Sequence, residues 1–381
     1  MTSKERMAAA MRLGVPERVP VMCQMSIGHM LLQTGFSPVE FWLSRERFAE
    51  GLLMMRRQYA FDGILVSLHG HGPDWERGIL RIAREADREI VHWKDGGRTV
   101  FPNDDLPMHY PAEERIPPAI ETFDPESVPA RLDFIPVSQG LRFGIDPEYP
   151  YDIFRDVLAG AGETFSIHGE VTSPFDYFLD LFGFSGAFLA LAEEPARSKA
   201  VLERLTEGVV RIAEDQAKLE LDAIKISSPY AGAGFISPRF YREFVLPCEK
   251  PIARACRDLG VPVYLHTCGA IHDRLEMMTE AGISGIECLD PPPLGNVELA
   301  DAKVRIGGTV FIKGNIDPVH TLWTGPPERI EADARQRLAV GGQGGGFILS
   351  TACSIAPRTP RGHVEILAPL AAESGFRPGQ K

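Results

Sequence analysis

Eight short, mostly apolar runs recur along the chain with helix-like stretches between them. This alternation constrains the fold more than any other feature. The runs are Val19–Gln24, Gly63–His69, Thr164–Glu170, Ala223–Ser227, Val261–His266, Gly285–Leu289, Val310–Gly314 and Phe347–Thr351. Most are continuously apolar, the pattern of parallel strands buried on both faces. Parallel neighbours need long crossovers, and the intervening segments supply them. Pro195–Gln216 is long enough to be one. Pro238–Leu259 follows Ser237, an N-cap with Pro at the first helical position. His272–Ala281 runs into Gly282, and Pro327–Ala339 ends at the Gly341–Gly346 run. The pattern predicts an α/β fold, a (β/α)8 TIM barrel. The 381 residues fit one such barrel, so 1–381 is read as a single domain.

One stretch breaks the alternation. Leu80–Phe101 reads as a β-hairpin or meander turning at Lys94–Arg98, and Asn103–Tyr151 reads as irregular, rich in Pro and acidic residues. Residues from about 72 to 150 are therefore an insertion after the second strand, too long for a bare loop.

Charge and cysteine usage narrow the function. The net charge is −12, and no block of five basic residues occurs, which argues against nucleic acid and anionic membrane surfaces. No apolar run approaches the ~18 residues of a membrane span, and the opening Met1–Arg6 lacks an apolar signal core. A cytoplasmic protein is expected. Six cysteines are too sparse for a disulfide framework, so a Cys near a His is better read as a metal or reactive site.

In such a barrel the chemistry sits at the C-terminal ends of the strands. In strand order those ends offer Gln24; His69 and His71; His168 and Glu170; Ser227 and Ser228; His266 and Cys268; Glu287, Cys288 and Asp290; Lys313 and Asn315; and Ser350, Thr351 and Cys353. His266 and Cys268 are two apart, so in an extended chain they face one side. Cys353, just past the last strand, can reach across the mouth. One imidazole and two thiolates suit Zn2+, and three protein ligands leave the fourth position open. The competing reading is two buried thiols beside a hydrogen-bonded His. Glu287, Asp290 and His272 are further ligand candidates, although His272 fits the following helix better.

The remaining signals are weaker. Glu170 and His168 are acid–base or substrate-holding groups, or else partnered buried groups. His69-Gly-His71 offers a second metal site on only two ligands. Lys313 and Asn315 either bind an acidic group or fix a loop. Gly341–Gly346 lacks the Lys-Ser/Thr of a phosphate loop and reads as a flexible connection. Cys23, Cys248 and Cys256 are read as ordinary core or helix residues, Phe175–Phe188 as core packing, and Glu193-Glu194 as a solvated helix start.

Several segments resemble the uroporphyrinogen decarboxylase superfamily. They are Thr2–Ala10 with Glu17–Val21, the Ser-Pro helix Ile236–Pro247, Lys313-Gly-Asn-Ile-Asp-Pro318, and Phe347–Cys353 followed by Pro357–Pro360. They run in order along nearly the whole chain. The resemblance implies a single (β/α)8 barrel. It also implies one of two chemistries: cofactor-independent decarboxylation of uroporphyrinogen, or zinc-dependent methyl transfer involving a corrinoid. His266, Cys268 and Cys353 match the His-x-Cys and distant Cys of the methyltransferase branch, which resembles methylcobalamin:coenzyme M methyltransferases and demethylase components. That match implies Zn2+ at these three residues. The decarboxylase's Arg-rich N-terminal loop is replaced by Met22–Gly28, and its second-strand Asp is missing from Ile64–His71. The methyltransferases' Asp after the fourth strand is replaced by Ser227-Ser228, and the sixth-strand turn Glu287–Pro293 is bulkier.

The expected activity is therefore methyl transfer between a corrinoid and a thiol or methoxy-type small molecule, with a cofactor-independent decarboxylase as the alternative. No Asp-x-His-x-x-Gly cobalamin segment is present, so the corrinoid should arrive on a separate protein docking at the mouth and insertion. Glu170 and His69 are expected to transfer protons or orient the substrate. Gln24, His168, Ser227, Glu287 and Asn315 are expected to line its site. The resemblance allows a homodimer.

Overall fold

The computed structural model describes residues 1–138 and 140–375. Its frame is a curled, open sheet of seven parallel strands: β1 (Gly63–Val66), β8 (Ser166–Thr172), β9 (Ala223–Ser227), β10 (Val263–Thr267), β11 (Gly285–Cys288), β12 (Phe311–Ile316) and β13 (Phe347–Thr351). These follow one another in chain order, each in register beside the next, from Gly63 opposite Ser166 to Ile316 opposite Thr351. Every residue of β10, β11, β12 and β13 is buried, which is why those runs read as continuously apolar.

Seven of the eight expected strands thus pair as a ladder. The eighth, Val19–Gln24, makes only isolated parallel bridges, Val21 to Leu349 and Met25 to Ile355. It closes the gap between the sheet's edges differently: Met22 N donates to Leu349 O, and Asp62 N donates to Val21 O just before β1. The Asp62 carboxylate is fully buried and holds Val21 N at 2.8 Å, Arg6 at 2.5 Å and Arg18 at 2.9 Å. The segment is fixed by this ionic cluster instead of a ladder, which is why an apolar run of strand composition forms no strand.

The insertion is more ordered than expected. β2 (Ile79–Arg84), β3 (Arg88–Trp93), β4 (Arg98–Pro102) and β5 (Met108–Tyr110) form an antiparallel sheet, with Lys94–Gly97 as the turn between β3 and β4. β6 (Phe134–Ser138) and β7 (Leu141–Gly144) form a separate hairpin inside the stretch read as irregular. The expected helices are present with two departures. His272–Ala281 is a 3-10 turn, His272–Arg274, followed by a short helix, Leu275–Thr279. Pro238–Asp258 passes through a π-helical segment, Tyr241–Val245, before continuing from Leu246. Gly344, Gly345 and Gly346 all have positive φ, a turn into β13 that side chains would strain. Among the described residues no single helix is long and apolar enough to cross a membrane.

Candidate active site and metal centre

The C-terminal ends of the strands open into a cavity of about 710 Å3, within the range of small-molecule sites. Its floor carries His266, Cys268 and Cys353. β10 delivers the first two from the same side of an extended chain, and the turn after β13 delivers the third. His266 Nε2 lies 3.2 Å from Cys268 Sγ, and Cys268 Sγ lies 3.7 Å from Cys353 Sγ. Their donor atoms all fall within 4.8 Å of one another, and none of the cysteines is in a disulfide. Cys268 Sγ, with Cys288 and His266 nearby, holds the Cys353 thiol well below its usual range against the effect of burial.

The far side of His266 is also fixed. Its Nδ1 lies 2.9 Å from Glu287 Oε2, so Nε2 is turned toward the thiols. Glu287 is 1% exposed. Burial raises its pKa, but the Lys313 and Lys225 ammonium groups outweigh that and hold the carboxyl well below its usual range. Lys313 contacts Glu287 directly, and Lys225 Nζ stands 3.7 Å from Glu287 Oε2 and 3.0 Å from Glu170 Oε2. Two buried lysines thus face two carboxylates beneath the imidazole. One nitrogen and two sulfur donors, with the imidazole oriented by a carboxylate, fit Zn2+.

A second donor group shares Cys268: Cys288 and Asp290. Cys288 and Leu289 sit at φ 86° and 56°, so the chain turns sharply after β11. That turn brings Asp290 Oδ2 to 2.6 Å from Gly269 N and 3.2 Å from Cys288 Sγ. The bulkier sixth-strand turn therefore braces the loop carrying Cys268.

The other expected residues divide. Gln24, Glu170 and Ser227 line the cavity, and Gln24 Oε1 accepts a hydrogen bond from Lys225 at 2.8 Å. His168 does not reach it. It is fully buried, with Nε2 at 3.0 Å from Ser166 Oγ and Nδ1 at 3.0 Å from Tyr264 OH, and burial drives its pKa down to about 3. His69 is packed against Tyr151 and Phe154, and its Nδ1 lies 3.0 Å from Pro150 O. It anchors the returning end of the insertion and does not line the cavity. His71 is packed by Phe48 and Phe143. Among the described residues neither His69 nor His71 joins a group of three donors. Glu287 stands behind His266, not in the cavity, and Asn315 ties loops by donating to Leu289 O at 2.8 Å. Lys313 is committed to Glu287, and His272 pairs with Asp301 at the surface.

Sequence reasoning missed Asp176, Tyr230 and the insertion's share of the walls, Asp105, Leu106, Arg115 and Ile135–Ser138. A signal for Asp176 was present. Ser173-Pro174 is a helix start placed immediately after a barrel strand, and it aims the first turn at the mouth.

A family model described as uroporphyrinogen decarboxylase (URO-D) matches residues 128–373, more than half of the chain. The chain belongs to the uroporphyrinogen decarboxylase family. Among curated relatives, it is 29% identical over 213 residues to the methylcobamide:CoM methyltransferase MtbA of Methanosarcina acetivorans, covering 55% of this chain and 59% of that one. It is 32% identical over 192 residues to the uroporphyrinogen decarboxylase of Edwardsiella ictaluri, covering 48% and 51%. The aligned part thus spans under two thirds of either relative. Among solved structures, a methyltransferase from Methanosarcina mazei aligns with a TM-score of 0.73 at 20% identity, over 98% of this chain and 99% of that one. That similarity supports the fold.

Proposed function

We propose that this protein is a zinc-dependent methyltransferase, moving a methyl group between a corrinoid carried on a separate protein and a thiol or methoxy-type small molecule. One observation carries the reading: an imidazole and two thiols from distant strands converge, with Glu287 orienting the imidazole from behind. His266 Nε2, Cys268 Sγ and Cys353 Sγ would hold the ion. Bound there, zinc would lower the pKa of a substrate thiol or polarise a methoxy oxygen.

The protein's own groups do the rest. Gln24, Ser227 and Glu170 face the bound molecule, and Glu170 is held by Lys225. Leu106, Pro117, Ile135 and Val137 of the insertion shield it from water. Six free cysteines are consistent with a reducing cytoplasm.

Sequence identity does not separate methyl transfer from decarboxylation, because relatives of both kinds match at about the same level. Charge separates them better. The cavity walls carry Asp105, Glu170, Asp176 and Asp180 against a single arginine, Arg115, which is itself paired with Asp180. With that arginine committed, the described walls offer no free cation to hold the several carboxylates of a polycarboxylate substrate. The test is zinc content after anaerobic purification, beside Cys353→Ala. About one zinc per chain, largely lost in the variant, supports the reading. No zinc after supplementation refutes it and favours the decarboxylase.

A further inference from the structure

Among the described residues, one buried carboxyl group of the cavity walls has no ion-pair partner. Asp176 lies in the first turn of the helix Pro174–Phe182, directly after β8, and lines the same cavity as His266, Cys268, Cys353 and Tyr230. It is 5% exposed. The other buried or half-buried carboxylates of the walls are paired: Glu170 with Lys225 at 3.0 Å, and Asp180 with Arg115 at 3.3 Å and with Arg142. Asp105 is exposed. Among the described residues Asp176 has no ion pair. Its one side-chain partner is Ser173, whose hydroxyl donates to Oδ2 at 2.5 Å while accepting from Asp176 N at 3.2 Å. Oδ1 is left free for a ligand.

A carboxyl group buried without a cation takes up a proton instead of remaining charged. The surroundings favour this. Glu249, fully buried on the helix Leu246–Asp258, is a second acid nearby, and Tyr241 donates to it at 2.6 Å. The Pro229–Ala231 turn brings Tyr230, and β6 has no titratable side chain. Arg242 and Glu243, beside Tyr241, are committed at the surface to Glu280 and Lys199. Helices Phe184–Glu193 and Pro195–Ala217, also packed on this one, carry no buried charge. Against them stand the Ser173 hydrogen bond, His266 and the helix N-terminus, which favour the carboxylate, as would an ion held at His266. Burial dominates and pushes Asp176 up to about 8, with Glu249 adding to it.

We propose that Asp176 is the proton donor to the heteroatom from which the methyl group is cleaved, and that the substrate is a methyl ether acting as methyl donor. This rests on the methyl-transfer reading and adds a direction to it. An acceptor thiol must lose a proton, so it calls for a base, whereas an ether oxygen leaves as an unstable alkoxide unless an acid meets it. In the step, the O–CH3 bond breaks and its electron pair stays on oxygen. The oxygen takes the Asp176 proton and departs as the alcohol, leaving the Asp176 carboxylate. The methyl carbon receives a new electron pair from a reduced corrinoid, which is the nucleophile. Charge and atoms balance without a further oxidant or reductant.

The test compares wild type with Asp176→Asn, which keeps the helix-capping geometry and should keep its zinc. Demethylation of unactivated methyl ethers should fall roughly 10²–10⁴-fold in the variant. Ethers whose leaving group is a weakly basic nitrophenoxide should fall less than about threefold, because they need little proton transfer. Difference infrared spectroscopy supplies a readout that does not depend on turnover. Wild type at neutral pH should show a protonated-carboxyl carbonyl band that is absent from Asp176→Asn. Equal losses for both ether classes, or no such band, overturn the assignment. Methyl transfer to thiols without demethylation of any ether overturns it while leaving the methyl-transfer reading standing. Failure of all methyl transfer overturns both.

Discussion

Replacing Glu287 by Gln removes one of two carboxylates that face two buried lysines. Lys225 and Lys313 are fully buried, and after the change only Glu170 remains to face them. At the 3.7 Å separation of Lys225 and Glu287, one such attraction is worth about 4 kcal/mol at an effective dielectric of ~20. The desolvation of the lysines is not recovered when their partner goes, so the expected loss of stability is about 3–5 kcal/mol. Urea unfolding of the chelated protein reads this without contribution from metal. Competition with a chromophoric chelator reads the other consequence, a 10–100-fold weaker zinc site, because the imidazole has lost its charged support. Adding Lys313→Met should restore most of the stability and little of the zinc affinity. A single variant within about 1 kcal/mol of wild type, the low end of what losing an ordinary hydrogen bond costs, with zinc affinity unchanged within threefold, would refute the account of Glu287 as the charge that organises this layer.

Two further outcomes follow from the packing. A Cβ added at Gly232 would lie 2.5 Å from the backbone oxygen of Cys268. Gly232→Ala should therefore displace the Cys268 loop and weaken zinc binding in the same competition assay, and unchanged binding would show that this loop is not braced. Glu249 has its pKa raised to about 7 by burial, against the hydrogen bond from Tyr241. A raised pKa contributes stability that is complete below about pH 4 and is lost as pH rises toward 7. Urea midpoints should show wild type losing stability relative to Glu249→Gln across that window and running parallel to it above. Parallel curves throughout would refute a buried neutral Glu249.

The sequence carried the frame well, because parallel strands buried on both faces leave unmistakable apolar runs and because crossover helices carry their own start and stop residues. It carried Val19–Gln24 less well. Composition makes that run a strand, but a buried carboxylate, Asp62, holds it by contacts that no periodicity reveals. The donor triad was legible because alternation along β10 dictates that His266 and Cys268 share a face. His168 and His69 were not legible as core groups. Their position at strand ends matched the expected chemistry, but Tyr264 and Pro150, far away in sequence, occupy their ring nitrogens. Asp176 was hidden for the opposite reason. What distinguishes it is the lack of a cation in three dimensions, and a sequence does not display a missing neighbour.

The route by which the donors meet also sets a timetable. Cys353 lies 85 positions after Cys268, and the gap in the curled sheet is closed by contacts between residues near position 21 and β13. On the ribosome, the strands up to β12 emerge while the gap is open and the third donor does not yet exist. A nascent chain up to β12 therefore carries His266 and Cys268 without Cys353. On the zinc reading, the complete set of His266, Cys268 and Cys353 exists only once the last strand has been made and laid against the first segment, so the full site is assembled after synthesis and not during it.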